Sequence, residues 1–278
     1  MDKIAVLLTC YNRKNKTISC LKSFYKSVDL FNGNKEFDVF LVDDASTDGT
    51  SEAIREQFPL VNIIQGDGTL FWNRGMNRAW SEAVKKDVDY YLWLNDDTVL
   101  FSNALTKLLA SSIETNNQKI LVGSTCAVGN KELITYGGRS MKVGLLKPTN
   151  ELQPCDYFNG NVVLIPRFVF QKVGMNDPLF HHALGDFDYG LRASKCGVAS
   201  MVVPGVLGEC DEHEDLAAWC NPKTSFHKRF KLLYTALGNN PFEFFRFDKR
   251  HNGLLSAYFH FITIHLRVVC PWIWVKYK

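Results

Sequence analysis

The run Tyr90-Tyr91-Leu92-Trp93-Leu94, followed at once by Asn95-Asp96-Asp97, constrains the chain more than any other stretch. Consecutive apolar residues with two Tyr and a Trp among them read as a strand buried on both faces, the habit of parallel sheets. Two adjacent carboxylates at the end of such a strand are costly unless a cation lies beside them. In open α/β sheets, ligands bind at the carboxyl ends of the strands. A hard divalent ion, held by one or two carboxylates with phosphate oxygens and water completing its shell, satisfies both charges. Asn-Asp-Asp is also ordinary turn chemistry, so an exposed turn is the competing reading.

The rest of the chain supplies the context for that strand. Residues 4–9 are apolar and end at Cys10-Tyr11-Asn12-Arg13, and 14–27 carry Ile18, Leu21, Phe24 and Tyr25 at helical spacing. A strand over 37–42 stops at Asp43-Asp44-Ala45-Ser46-Thr47-Asp48-Gly49-Thr50. That turn predicts a helix to about residue 58, with Asp48 or Thr47 as N-cap. A third strand, 61–64, leads to Gly66-Asp67-Gly68, and from Asn73 a helix presents Met76, Ala79, Trp80, Ala83 and Val84 on one face. After the opening strand, Ala104, Leu105, Leu108 and Leu109 mark another helix. The alternation predicts an α/β fold: a doubly wound, mostly parallel sheet with helices on both faces. Residues 1–125 are then a nucleotide-binding half. Residues 123–154 read as a hairpin excursion over the sheet, with β-like pieces at 132–136 and 141–146. A strand over 162–165, a short helix over 168–173, a helix ending at Cys196-Gly197 and a strand over 199–203 fill an acceptor half, 126–215.

A chain of 278 residues can be one large domain or two small ones. Its net charge of +3 argues for no nucleic-acid partner. The eight cysteines show no Cys-x-x-Cys pair, and the start of the chain has no export signal, so reduced thiols and a cytoplasmic setting are expected. Residues 216–278 read as a helical extension. Within it, 254–275 are apolar but interrupted by His260, His265, Arg267 and Pro271, too many polar groups for a comfortable span. An interfacial helix at the inner face of the plasma membrane, with Trp272, Trp274, Lys276 and Lys278 at its end, is one reading. A terminal helix packed on the domain is the other.

Four clusters end predicted strands: Thr9-Cys10-Tyr11-Asn12, Asp43-Asp44, Gly66 to Gly75, and Asn95-Asp96-Asp97. In a doubly wound sheet they share one rim and can converge on one ligand. Tyr11 offers a flat face for a base and Asp44 an acceptor for a ring N–H. The second acid of the later pair can hold a metal against a diphosphate.

The order Thr9-x-Tyr11-Asn12, then Val42-Asp43-Asp44-x-Ser46-Thr47-Asp48-Gly49-Thr50, then Asn95-Asp96-Asp97 resembles the family-2 glycosyltransferases of the GT-A fold. Gly185-Asp186-Phe187-Asp188-Tyr189-x-x-Arg192 is similar to that family's Glu-Asp-x-Asp-Leu-x-x-Arg segment, with Gly185 in place of the usual Glu. The likeness covers roughly residues 1–215. It implies a nucleotide-diphosphate-sugar donor (a UDP- or dTDP-sugar) contacted by Thr9, Tyr11, Asn12, Asp44, Gly68, Trp72, Asn73 and Asp96. It further implies a divalent metal (Mn2+ or Mg2+) held chiefly by Asp97, inversion at the anomeric carbon, and Asp186 as catalytic base. The resemblance offers His213, at a loose spacing, as a counterpart of the metal- or phosphate-contacting His of many such enzymes, and a surface loop is the other reading. Gly66-Asp67-Gly68-Thr69-Leu70-Phe71-Trp72-Asn73-x-Gly75 resembles a subgroup that includes rhamnosyltransferases.

The residues themselves separate the two acids near 186. If 184–195 is helical, Leu184, Phe187 and Leu191 form one stripe and Asp186 lies about 200° round from Leu184. Asp188 stands four residues before Arg192, where an ion pair is its natural role. Asp186 is then the free acid, with a solvated helix-start acid as the bland alternative. His181 and His182 carry no decisive signal.

The expected reaction moves a sugar to a hydroxyl of a glycan or lipid-linked acceptor, in bacterial surface polysaccharide synthesis. A sugar nucleotidyltransferase is the nearest competitor, but it wants a glycine-rich basic loop after its first strand, and Thr9 to Arg13 has no glycine. A non-catalytic membrane-surface assembly protein with a decayed site is the other. The intact Asp44, Asp97 and Asp186 speak against it.

Overall fold

The structure is a computed structural model that describes residues 2–211 and 217–275, without the side chains of 274 and 275. His213, Lys276, Lys278 and the side chain of Trp274 therefore lie outside the described residues. The chain divides into two compact units, Met1–Asp177 with Asp186–Glu212, and Pro178–Gly185 with His213–Lys278.

The first unit is built on four parallel strands, β1 (Asp2–Cys10), β2 (Lys35–Asp43), β3 (Asn62–Gln65) and β4 (Tyr90–Leu94), in spatial order β4-β1-β2-β3. Helices α1 (Lys14–Asp29), α2 (Thr50–Gln57) and α3 (Phe71–Ala83) connect them. Every residue of β4 is buried. The sheet has a core on each face, so alternate residues of one strand serve different cores. Ile4, Val6 and Leu8 of β1 pack with Leu21, Phe24 and Ile54 on one side, while Ala5 and Leu7 pack with Met76, Trp80 and Tyr189 on the other.

Beyond β4 come β5 (Val99–Leu100), α4 (Ala104–Glu114) and β6 (Ile120–Ala127), from which β7 (Asn130–Tyr136) returns antiparallel. Next are β8 (Gly138–Ser140), β9 (Gly144–Leu145), β10 (Gln153–Cys155) and β11 (Tyr157–Phe158); β8, β9 and β11 form a small separate sheet. Strand β12 (Val162–Pro166) runs antiparallel between β4 and β6. After α5 (Arg167–Val173) and α6 (Gly185–Lys195), β13 (Ser200–Glu209) lies parallel to β6.

Three local expectations change. The break expected at residue 123 falls inside β6, which runs on through it. Gly123 is there because a Cβ would come within 2.7 Å of Leu207 Cδ1 and 3.1 Å of Val162. The strand expected over 199–203 continues past Pro204-Gly205, which it absorbs through register shifts on β6. The N-cap of α2 is Gly49, at φ 78°, rather than Asp48 or Thr47. Asp48 still serves that helix, accepting from Thr50 N at 3.1 Å and from Lys14 N at 3.0 Å, which ties α2 to the start of α1.

The second unit is helical: a 3-10 turn at Ala218–Cys220, then α7 (Phe226–Leu233), α8 (Pro241–His251), α9 (Leu254–Val269) and α10 (Trp272–Val275). Asn240 caps α8 by accepting from Phe242 N at 3.1 Å, with Pro241 in the first turn. Its core is small, built on Trp219, Cys220, Leu233, Ile264 and Val268. The apolar stretch 254–275 is not one helix, because Cys270-Pro271 interrupts it. Among the described residues, no helix is long and apolar enough to cross a membrane.

Candidate active site

The register sets the rim. Cys10 pairs with Asp43 and Asp43 with Gln65, so β1, β2 and β3 end level, and Leu7 opposite Trp93 brings Asn95-Asp96-Asp97 up beside them. Three non-glycine residues on these loops adopt positive φ: Asn12 at 50°, Ala45 at 64° and Phe71 at 55°. Such conformations cost energy and persist where the surroundings over-determine them, commonly at ligand-binding loops.

The loops are laced together by their polar side chains. Asn12 N donates to Ser46 Oγ at 2.9 Å, and Asn12 Oδ1 accepts from Thr47 N at 2.8 Å. Asp43 accepts from Ser46 N at 2.9 Å and from the Ser51 hydroxyl, so it is a turn-former inside the protein. Asp44 accepts three backbone N–H groups, from Gly68 at 2.8 Å and from Leu70 and Phe71 at 3.0 Å each. The carboxylate thus folds the glycine-rich loop around itself, and a side chain at 66 would collide, since a Cβ there lies 2.5 Å from Asp44 Oδ1. With three of roughly four acceptor positions filled, Asp44 has little left for a base. Tyr11 is more than half exposed, with its ring free to stack.

The acid pair carries a cation from its own chain. Arg13 Nη1 donates to Asp96 Oδ1 at 3.2 Å and to Asp97 Oδ2 at 2.8 Å. Thr17 Oγ1 lies 3.4 Å from the other oxygen of Asp96. Burial pushes the Asp96 carboxyl up to about 7, with Arg13 pulling it back and Asp97 adding to the rise. Asp97 is less enclosed; its Oδ1 accepts from the Cys210 thiol at 3.5 Å. Burial, and next the charge of Asp97, pushes Cys210 up to about 12, so it stays a neutral thiol.

These contacts test the implied divalent ion. Among the described residues, no three His, Cys, Asp or Glu side chains are grouped to hold one. Asp96 faces inward to Arg13 and Thr17, whereas Asp97 is partly exposed and gives one oxygen to Arg13, which leaves its other oxygen toward the rim. That donor set fits an ion bound by a single carboxylate, with phosphate oxygens and water making up the shell, and not a closed protein cage.

Asp186 opens the first turn of α6. Its Oδ2 accepts from Gly160 N and its Oδ1 from Phe187 N, both at 2.9 Å. Burial raises its carboxyl to about 6, opposed by those N–H bonds and by the positive charge of Arg139. The helix begins at Gly185, with Leu184 outside it, so the expected stripe of Leu184, Phe187 and Leu191 is not the buried one. Asp188, Tyr189 and Ala193 are fully enclosed instead. Asp188 pairs with Arg192 Nε at 2.8 Å, and Arg192 continues to the carbonyls of Val173 and Met175. The two acids thus have different surroundings: Asp188 is locked in an ion pair, and among the described residues no cation is bonded to Asp186.

A short chain of contacts joins Asp186 to the acid pair. Gly160 N bonds Asp186, Asn161 O accepts from Asn95 N at 3.0 Å, and Asn95 leads into Asp96 and Asp97. Trp72 closes this floor, donating its indole N–H to Asn95 Oδ1 at 2.7 Å and packing so closely that a Cβ at Gly160 would lie 2.5 Å from its ring.

Two expected donor contacts are placed otherwise. Asn73 is fully buried; its side chain donates to Asp177 O at 2.8 Å and accepts from Asn176 Nδ2 at 2.6 Å, which fastens α3 to the 176–177 turn. Thr9 is buried against Gly75, whose added Cβ would sit 2.2 Å from Thr9 Oγ1, so it packs β1 on α3. Residues missed from sequence are Arg13, Gly160 and Arg139. Arg13 stood next to the Tyr-Asn motif and was the nearest cation; the other two lie far from the acids in sequence and carried no local signal.

A mixed sheet with helices on both faces and acids gathered on its carboxyl rim defines an open-sheet α/β protein, in which ligands bind at that rim. Residues 5–175 match glycosyl transferase family 2, and the chain belongs to that family. No curated protein sequence matches it. Among solved structures it is similar to residues 1–349 of S. aureus TarS, with 14% identity and a TM-score of 0.54 over 94% of this chain and 72% of that one. Against TarS 1–349 in complex with UDP-GlcNAc, the identity is 14% and the TM-score 0.57, over 95% and 81% of the two chains. Against the longer TarS structure the identity is 15% and the TM-score 0.56, over 90% of this chain but only 43% of that one. At such identities the likeness concerns the fold, which is of the GT-A type.

Proposed function

We propose that the chain transfers a sugar from a nucleotide-diphosphate sugar to a hydroxyl of a glycan or lipid-linked acceptor, with inversion, on the cytoplasmic side of a bacterial membrane. The observation that carries this reading is the Gly160-Asn161 link, which joins Asp186, to which no described residue bonds a cation, to the rim that carries Asp96 and Asp97. Family membership and the UDP-GlcNAc bound to TarS support the donor class.

In this reading the acceptor oxygen attacks the anomeric carbon while the bond from that carbon to the diphosphate oxygen breaks. The acceptor proton passes to Asp186, and the bonding pair leaves on the diphosphate. A placed base contributes roughly 10²–10⁴-fold. Burial lifts Asp186 to about 6, close enough to neutrality to take a proton well while remaining ionised at pH 7. Tyr11 stacks on the base, and the Asp44-bound loop of Gly68 forms the wall beside it. Arg13 supplies fixed positive charge near the diphosphate. A Mn2+ or Mg2+ ion at Asp97, when bound, would add charge stabilisation on the leaving diphosphate.

The test is a panel of UDP- and dTDP-sugars, scored for slow hydrolysis and for binding with and without Mn2+ or Mg2+. Binding of no nucleotide sugar would overturn the reading. The nucleotidyltransferase alternative finds no support in the loop after β1, whose Asn12 and Arg13 are engaged with Ser46, Thr47 and the acid pair.

A further inference from the structure

Helix α9 turns most of its larger apolar side chains outward. At 3.6 residues per turn, Leu255, Tyr258, Phe259, Ile262, Leu266 and Val269 fall within ~100° of arc. All six are exposed, Leu255 by 87% and Phe259 by 64%. Ala257, Ile264 and Val268, on the opposite side, are the buried residues. The polar groups of the helix also turn away from the exposed arc. His260 Nδ1 lies 2.8 Å from Asp248 Oδ2, His265 is bonded to Tyr234 OH at 2.7 Å and to Phe261 O at 2.6 Å, and Arg267 covers the Trp219 ring. An ordinary surface helix shows water its polar face. Exposed Trp272 and Ile273 follow this arc in sequence on α10. An apolar face of this extent marks an interaction surface.

The charges indicate what covers it. Between residues 217 and 275 there are eight Lys and Arg but only two acids, Glu243 and Asp248. Both acids are buried, and each is paired with a histidine, His181 and His260. The exposed charge of this part of the second unit is therefore positive, with Lys228, Lys231, Arg246 and Lys249 all open to solvent. Two copies meeting on this face would bring like charges together. An anionic headgroup layer would neutralise them while its acyl boundary takes up the aliphatic and aromatic side chains. Since no described helix can span, the contact is lateral.

We propose that the exposed arc of α9, with Trp272, docks the second unit in the plane of an anionic lipid surface. The proposal stands independently of the glycosyl-transfer reading, because vesicle binding is measured without donor or acceptor. Full-length protein is sedimented with phosphatidylglycerol-rich vesicles and with phosphatidylcholine vesicles, at low and high salt. Binding to the anionic vesicles, weakened by salt and lost roughly tenfold or more in Leu255→Asp/Phe259→Asp, is the expected result. Arg246→Glu/Lys249→Glu should weaken binding to the anionic vesicles and leave the neutral ones unchanged. Circular dichroism and nucleotide-sugar binding of each variant establish that it is folded. Failure of the wild type to bind anionic vesicles at low salt overturns the proposal. So does a wild-type dimer in sedimentation velocity that the Asp variants convert to monomer, which would make the face an interface between copies.

Discussion

Strand β4 and helix α9 are both runs of apolar and aromatic residues, and the protein treats them in opposite ways. Each residue of β4 is enclosed, with Trp93 wedged among Trp72, Trp80, Phe158 and Tyr189. Helix α9 instead commits Ile264 and Val268 to a small core, buries Ala257, and leaves most of its larger side chains outside. A strand between two layers has no free face, so its apolar residues are explained once the sheet is known. A helix at the edge of a unit has a choice of face, and turning the larger side chains outward makes sense only if something other than water meets them. Apolar content alone therefore separates neither the fold-building segment from the docking one nor the two roles they serve.

The sharpest way to test that contrast is to cut into both elements. Trp93→Ala should destabilise the first unit by about 3–5 kcal/mol, the cost of emptying an enclosed aromatic site, read by urea unfolding. Near the site, Asp186→Asn should bind donor almost normally yet turn over at least about a hundredfold more slowly. That variant should sediment with vesicles like the wild type, keeping the functions of the two units apart. Asp188→Asn should do the reverse, costing about 2 kcal/mol or more of stability through the partly stranded Arg192, with a smaller effect on turnover of the folded enzyme. Reversed phenotypes for this pair would undo the division of roles at α6.

Proton linkage gives a smaller and more specific effect. Asp186 is raised in the folded state from 3.8 to about 6. Between those values the folded chain holds the proton more firmly than the unfolded chain, so this group's contribution to stability falls as pH rises. Turnover follows the opposite course, rising as the base ionises. Melting curves should therefore show Asp186→Asn gaining on the wild type from about pH 4 to about pH 6, while wild-type activity climbs through the same range. The smallest effect belongs to α9, where Leu255→Ala should change unfolding stability by no more than about 0.5 kcal/mol. A loss comparable with that at Trp93 would show that the exposed face is core.

Much of the architecture was legible because it rests on short-range patterns. The alternation of strands and helices, the burial of β4, the order of the rim motifs and the Asp188–Arg192 pair are all consequences of period, spacing and charge within a few residues. The continuity of β6 was obscured by Gly123, which local rules read as a break but which close packing of Leu207 and Val162 requires. Trp72 was legible as a rim residue, and its role as the floor under Gly160 was not.

What the sequence by itself determined is the α/β class, the carboxyl rim and the identity of the acids on it, since each follows from neighbours along the chain. Only the tertiary structure decided which of those acids are already satisfied. It gave Asp44 to the backbone of the glycine-rich loop, Asp96 and Asp97 to Arg13, and Asn73 to the 176–177 turn, and among the described residues it left Asp186 without a bonded cation. It also decided that His260, His265 and Arg267 of α9 are engaged by other protein groups while its apolar arc faces out. The reason is the same in each case. A hydrogen bond or a buried face depends on distances between segments far apart in sequence, and no local period records them.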